Sequence, residues 1–527
     1  MLIGFVQIIM TSEQTPPKTP PRPRKARPPL PTGDQISGSI GNNAQGAIIG
    51  KNIFQNIIVI GNVKIPVIPV LVLIVLVIAA AAFFGLRLLG PDHMTGSFNL
   101  AVAEFGQLDA SGHVSSSATG QQLSQRLYEG LKIELDSLSP ADRANFQPQV
   151  WQDSLDITQK RVTIGIIPGD TPQARWSAAC ALAKGINASV MIYGNLPASS
   201  IGADFIPEFA LCNNAGLRLD VDELVGSHQL IQGLPAQLIA QLGSPDAALA
   251  VNIKMNSWSG ALSLFCIGIM YDLQGRPDQA LAVFQQARSQ LQPGSGSGGE
   301  VLYFFIGREE LTLASSTAGA ERDTHLSNAQ AAFTQSLILN PAYARAHIGL
   351  GGVYFSRAQL LPPPTRLQSV ELANTFKEYT AALADSSTSP GALLDVKARL
   401  SLASAWILQG DTLSILNQLD TAGKSFNQAI QAATSALQPL IDAKQYRILA
   451  QAYLSLGEAY QEEGHLNLLL NDNQASKEFF QKSSDSYQQC ILQKDAAITD
   501  QTLANTIVAK LCEPYKKDVD ASLAELK

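Results

Sequence analysis

Residues Phe265–Ala287 read FCIGIMYDLQGRPDQALAVFQQA. Two segments with apolar residues at helical spacing flank Gly275-Arg276-Pro277, a turn signal that leaves the proline to open the second segment. Small residues stand where two helices would touch: Gly268 on the first, Ala280 and Ala287 on the second. Leu264, Ile267, Tyr271 and Phe284 supply the bulk around them, and Pro293 ends the pattern. The spacing predicts a closely packed helical hairpin. A lone hairpin cannot bury its outer faces, so the pattern also predicts neighbours of its own kind.

Four neighbours are legible. The second unit has Phe304, Ile306-Gly307, then Ala329, Phe333 and Pro341, with Glu310 where an aromatic residue is expected. The third has Leu350-Gly351 and Tyr354, a Pro-rich insertion LLPPPTR, then Tyr379 and Ala382. The fourth carries Leu402, Ala403, Trp406 and Gly410, then Ala422, Phe426 and Ala429. The fifth carries Tyr453, Leu456-Gly457, Tyr460 and Gly464, then Ala475 and Phe479. Each of the last four is expected to hold an insertion between its helices. The set resembles the tetratricopeptide repeat, whose signature is a bulky residue, Leu-Gly and Tyr, then Ala, Phe and Ala. The resemblance covers 258–495, and 496–527 is expected to form capping helices.

What that resemblance implies is a solenoid whose concave face, made by the first helices, holds protein or peptide partners. With the helix period set by the packed Gly and Tyr positions, the expected groove residues are Phe265, Ile269, Asp272, Arg308, Arg345, Phe355, Gln451 and Glu458. Phe284 is expected between helices instead.

Ahead of the repeats, 95–230 alternates strand and helix patterns and predicts a small α/β domain. Strands are expected at Ser97–Gly106, Val162–Ile167 and Ala188–Tyr193, and an amphipathic helix at Gly120–Leu138 with Leu123, Leu127, Leu131 and Leu135 on one face. A second helix has Asp170 or Thr171 as its cap, Pro172 in its first turn and Gly185 as its stop. FIPEFALC and GLRLDVDEL are read as a closing hairpin. The order resembles the amino-terminal α/β domain of TolB-like envelope proteins of bacteria, which implies an interaction module.

Between Ile65 and Leu86 no charged or strongly polar side chain occurs, and 65–89 is long enough to cross a bilayer as one transmembrane helix. Seven basic residues and two acidic ones precede Ile65. The positive-inside rule then puts the amino terminus in the cytoplasm and the body outside, extracellular or periplasmic. Residues 1–35 form a Pro-rich basic arm expected to be disordered, and Met10 is either the true start or part of an interfacial stub. Residues 36–64 repeat Ile-Gly and Asn, suggesting two or three short strands that serve as a juxtamembrane spacer or as a self-association segment over Ile36–Val63. That composition is similar to short amyloid-type assembly motifs of some bacterial signalling proteins.

The chain of 527 residues has a formal net charge of −7, and its acidic excess lies beyond the arm, which argues against nucleic acid as a partner. No phosphate loop, nucleophile elbow or metal-ligand spacing is present, so neither cofactor, metal nor catalysis is expected. Five cysteines without a CxxC pair indicate no disulfide framework; Cys180 and Cys266 read as buried thiols, and a Cys490–Cys512 bridge stays open. Together these features describe a mainly α protein: a solenoid of about five degenerate repeats, preceded by a small α/β domain and one transmembrane helix. Its expected work is that of a membrane-anchored protein-interaction scaffold. The alternative is a ligand-sensing accessory or signalling subunit that uses the α/β domain.

Overall fold

The computed structural model describes residues 57–60, 63–66, 94–96, 98–151, 164–198, 204–212, 225–229, 233–290, 298–388, 393–496 and 503–526. The chain divides into a body and a small unit within Gln14–Pro91. In the small unit β1 (Ile57–Ile60) pairs antiparallel with β2 (Val63–Pro66), Ile60 opposite Val63. β-branched residues on either side of Gly61-Asn62 account for this hairpin. Ile65 and Pro66, the first residues of the expected membrane span, belong to this strand; the rest of 65–89, the arm and 36–56 lie outside the described residues. Among the described residues no helix is long and apolar enough to cross a membrane.

In the body, β3 (Asn99–Val102) leads to β4 (Gly106–Leu108), β5 (Val114–Ser115), α1 (Ala118–Asp136), α2 (Pro140–Phe146) and β6 (Gln149–Trp151). Then come α3 (Pro172–Ile186), β7 (Val190–Tyr193), β8 (Asn195–Leu196), β9 (Glu208–Leu211) and β10 (Gly226–His228). Among the described residues, five strands form one sheet in the order β10-β9-β7-β3-β6, with β3 parallel to β6 and β7, and β9 antiparallel to both β7 and the edge strand β10. Alternation separates the two faces. Leu100, Val102, Val190, Ile192, Phe209 and Leu211 pack with α1, whereas Ala101, Met191, Tyr193, Ala210 and Cys212 pack with α3. α1 is capped by Ser117, which accepts from the Gly120 amide, and buries the expected Leu123, Leu127, Leu131 and Leu135. Thr171, not Asp170, caps α3, and Asn187 in the left-handed region ends it two residues past Gly185. The segment GLRLDVDEL, expected as the hairpin partner, lies outside the described residues, and β9 pairs with β10, which follows it.

After α4 (Ala236–Ala240), five antiparallel helix pairs follow among the described residues. They begin with α5 (Pro245–Leu273) and α6 (Pro277–Gln290), then α7 (Gly299–Ser316) and α8 (Gly319–Leu339). In the third pair α9 (Ala344–Leu360) is joined to its partner through a short α10 (Pro363–Leu367), the Pro-rich insertion, and the partner is α11 (Val370–Asp385). The fourth pair is α12 (Leu394–Ile415) with α13 (Leu419–Asp442), and the fifth is α14 (Tyr446–Leu469) with α15 (Asn473–Ala496). A π-helical segment Leu503–Cys512 and α16 (Glu513–Glu525) close the last pair.

One device holds the pairs together. A glycine on each first helix faces an aromatic ring on its second helix: Gly268 with Phe284, Gly307 with Phe333, Gly351 with Tyr379, Gly410 with Phe426, and both Gly457 with Tyr487 and Gly464 with Phe480. A Cβ added at any of these would meet the ring within 3.0 Å. This corrects the register of units four and five. Gly410 and Gly464 are packed mid-helix glycines, and the turns fall later, at Asn417 and Asn471, both with positive φ. In the fifth pair Ser476 and Phe480 are buried where Ala475 and Phe479 were expected. Much of the extra length expected as insertions in these two units extends the helices. Glu310, standing in for the aromatic, accepts from Asn328 and pairs with Nδ1 of His325 at 2.6 Å on the facing helix.

Disulfides join Cys180 of α3 to Cys212 after β9, and Cys490 of α15 to Cys512 at the start of α16. The reading of Cys180 as a free thiol is therefore corrected; Cys266 is free and buried.

Candidate partner-binding surface

First helices stand beside one another along the array: α7 against α9, α9 against α12, and α12 against α14. The α/β domain rests on the front of this row. Phe209 meets Phe265 of α5 edge-on at 5.1 Å, and His228 stacks on Phe209 at 5.0 Å while facing Phe305 of α7. Gly130 of α1 lies so close to Ser259 of α5 that a side chain would clash. Arg345 of α9 donates from Nη2 to the Val225 carbonyl, 3.0 Å away. At the first hairpin's turn, Arg276 reaches Asp142 of α2 at 3.5 Å.

That contact decides where the expected groove residues are. Phe265 and Ile269 are fully buried in a core shared by the sheet and the first two pairs. Arg345 is 1% exposed, beneath the domain and over the Tyr343 ring. Phe355 is buried against Tyr379 and Ala405. Asp272 and Arg308 pair at 2.7 Å, and Arg308 also binds the interior Glu309. These six are held by the protein itself. Phe265 and Arg345 meet the neighbouring domain, whereas Asp272, Arg308 and Phe355 are held within the array. Phe284 sits between helices as expected, with no exposure.

Gln451 and Glu458 lie further along, on α14. Gln451 is half-buried, whereas Glu458 is 7% exposed and its Oε1 is buried without a hydrogen-bond partner. Burial raises the Glu458 carboxyl to about 7. One turn on, burial raises Glu462 as well. Asp411 of α12 is pushed up to about 8, first by burial and then by the charges of Glu462 and Glu458, and its Oδ1 is also buried and unpaired. The nearby cation Arg366, on α10, is committed elsewhere. Its Nε donates to the Ala358 carbonyl, Nη2 to those of Gln359 and Leu361, and Nη1 to the Thr412 hydroxyl.

Asp411 and Glu462 were not anticipated. Gly410 packs on Phe426, and Asp411 follows it on α12. Two successive glycines seven residues apart, Gly457 and Gly464, left the register of α14 open by two turns. Asp411 stands directly after a pattern glycine, Gly410, which is the signal that could have found it; Glu462 carries no such mark.

Residues 403–435 match the tetratricopeptide repeat family model. This span holds Gly410, Ala422, Phe426 and Ala429 in the register seen in the fold. No curated protein matches the chain. Among solved structures, TTC0263, a thermophilic TPR protein of Thermus thermophilus, is 15% identical over 50% of this chain and 98% of its own, with a TM-score of 0.27. PilW, described as a widely conserved type IV pilus biogenesis factor, is 16% identical over 50% and 98%, with a TM-score of 0.26. A MamA RS-1 double mutant is 14% identical over 46% and 97%, with a TM-score of 0.27. At that level of likeness nothing about partners passes from these proteins to this chain. The body is an array of helical hairpins carrying a small α/β domain, and residues 403–435, in its fourth hairpin, match the tetratricopeptide repeat.

Proposed function

We propose that this chain is a membrane-anchored scaffold that binds other proteins along the first-helix row of its last two hairpins, α12 and α14. The observation that carries this reading is the division of the row. Its front half is filled by the chain's own α/β domain, while in the rear half Asp411 and Glu458 each keep a buried oxygen without a hydrogen-bond partner. Repeat arrays present extended surfaces of this kind to partner segments.

The membrane anchor rests on the 65–89 apolar run and the basic arm before it. Two disulfides in the body support a location outside the cytoplasm, because disulfides persist in oxidising compartments. Ile36–Val63 then serves as a juxtamembrane spacer or a self-association segment. A photo-crosslinking residue placed at Gln451 in cells tests the scaffold reading, with exposed Gln431 on α13 as control. Discrete protein adducts at Gln451 that exceed those at Gln431 are expected; equal yields would refute the site. Protease added to intact cells should degrade the body and spare the arm, and a protected carboxyl terminus would refute the orientation.

A further inference from the structure

We propose that the pocket between α7, α8 and α9 binds a free small molecule carrying one carboxylate on a short aliphatic chain, and that Arg322 holds the carboxylate. None of the lining residues is on α12 or α14, so the proposal stands independently of the scaffold reading.

The end of α7, the start of α8 and the end of α9 converge on a pocket of about 50 Å³ that opens to solvent. Its walls are apolar at Leu311, Leu326 and Leu360. The lining hydroxyls of Ser315 and Ser356 donate to carbonyls of their own helices, those of Thr312 and Gly352. Two other lining side chains keep donors for a guest. Gln359 is half-buried, and its amide has no hydrogen-bond partner among the described residues. Arg322 is the decisive one. Its Nε is buried without a hydrogen-bond partner, and among the described residues no carboxylate pairs with its guanidinium.

Acids are near in sequence, and none serves it. Glu321 and Asp323 are exposed neighbours on α8, while Glu310 of α7 is held by His325 and Asn328. Arg357 of α9 adds a second positive charge along the same seam, and it donates to neutral acceptors on α8, Gln330 and Ser327. A buried donor without an acceptor is costly, so the unmet requirement is an anion.

Size and walls select the anion. One water needs about 10–15 Å³, so this pocket takes a carboxylate with its first carbons and nothing larger. The planar carboxylate matches the guanidinium edge, accepting from Nε and an adjoining Nη. Phosphate brings a further charge that one arginine between apolar walls leaves uncompensated. With no acid among the lining residues, an amino acid's ammonium would have no partner there. Leu360, 47% exposed, gives the aliphatic tail a surface to cover.

The test is equilibrium dialysis of the full chain in a neutral detergent, with labelled hexanoate as the probe. Saturable binding is expected, displaced by butyrate and at least about tenfold less well by the uncharged hexanamide. Inorganic phosphate should not displace it. Arg322→Gln should abolish binding, with a melting temperature at or above wild type. Should that variant fail to fold, Leu360→Glu, at an exposed position, should abolish binding by offering Arg322 an internal carboxylate. Absence of saturable binding to wild type would overturn the inference and leave the Nε to water. Displacement by hexanamide or phosphate as effective as by butyrate would also overturn it, as would undiminished binding in either folded variant. A peptide ending in leucine that binds this pocket more tightly than hexanoate would overturn the assignment to a free acid.

Discussion

The front and rear of the array use the same hairpin and treat its inner face in opposite ways. In the front three pairs that face is closed: Phe265 and Phe305 meet the sheet, and Arg345 is bonded to a loop carbonyl. In the rear two pairs the buried acids Asp411 and Glu458 each keep an oxygen without a hydrogen-bond partner, as Glu309 does in the front, where Arg308 lies beside it. Identical backbone architecture therefore says little about where a partner binds. Which face is free depends on what else the chain folds against it.

The sharpest way to break this contrast is at Arg345. Arg345→Glu puts a carboxylate against the Val225 carbonyl in a site with 1% exposure, and the expected loss is about 4 kcal/mol in chemical denaturation. A shift below about 1 kcal/mol would mean that the domain does not hold the front row. Next in size, Phe284→Ala and Phe426→Ala should each cost about 3–5 kcal/mol, because both rings fill the space above a glycine. Equal losses would confirm that front and rear differ only in their inner faces, whereas a mild effect at Phe426 would show a looser rear.

Reduction of the disulfides should cost about 3 kcal/mol each, given loops of 32 and 22 residues. Cys490→Ala should loosen the carboxyl-terminal cap only, read as faster amide exchange in α16. Smaller and opposite in sign is Glu458→Gln. The folded carboxyl titrates above its unfolded value, so its contribution is most favourable below about pH 4.5 and is lost as the pH rises through about 7. At pH 8 the glutamine variant should be more stable than wild type, by on the order of 1–3 kcal/mol, with no gain at pH 4. A gain independent of pH would place the effect in packing.

The smallest effect belongs to His347. Burial pushes its imidazole down, but bonds to Glu378, at 2.7 Å, and to the Pro341 carbonyl outweigh this and raise it. Its stabilisation is present below about pH 6.5 and fades as the pH climbs past the folded value. His347→Gln should remove less than about 1 kcal/mol at pH 6 and almost nothing at pH 9. A loss that is the same at both pH values would sink the titration account.

Legibility followed the length of the helices. The first pair was readable residue by residue because Gly268, Gly275 and Phe284 occur once each and the turn glycine has the positive φ that such a turn needs. α14 offers two glycines a heptad apart, and local pattern cannot rank them; only the rings of Tyr487 and Phe480 across the pair do. Helix periodicity told which side of α5 and α9 faces inward. Yet the inward side of Phe265 and Arg345 meets a domain far upstream in the chain, a relation that no local spacing carries. The Cys180–Cys212 bridge was hidden for the same reason, since α3 and β9 are brought together by the sheet. In the α/β domain α1, α3 and β7 were readable, but among the described residues the expected strand Val162–Ile167 is only an isolated bridge from Ile166 to Glu104, and β6, which takes the sheet edge instead, was not anticipated.

The sheet lodged against α5 also sets where the chain can be cut. A stack of repeats needs a covered end to stay dispersed in water. Here the sheet face around Phe205 and Phe209 provides that cover for Trp258 and Phe265. Severing the chain between α4 and α5 would follow an apparent domain boundary yet uncap a row of aromatic rings. The smallest fragment that behaves as a well-dispersed protein should therefore begin ahead of β3, and the array should be handled as an extension of the sheet's core.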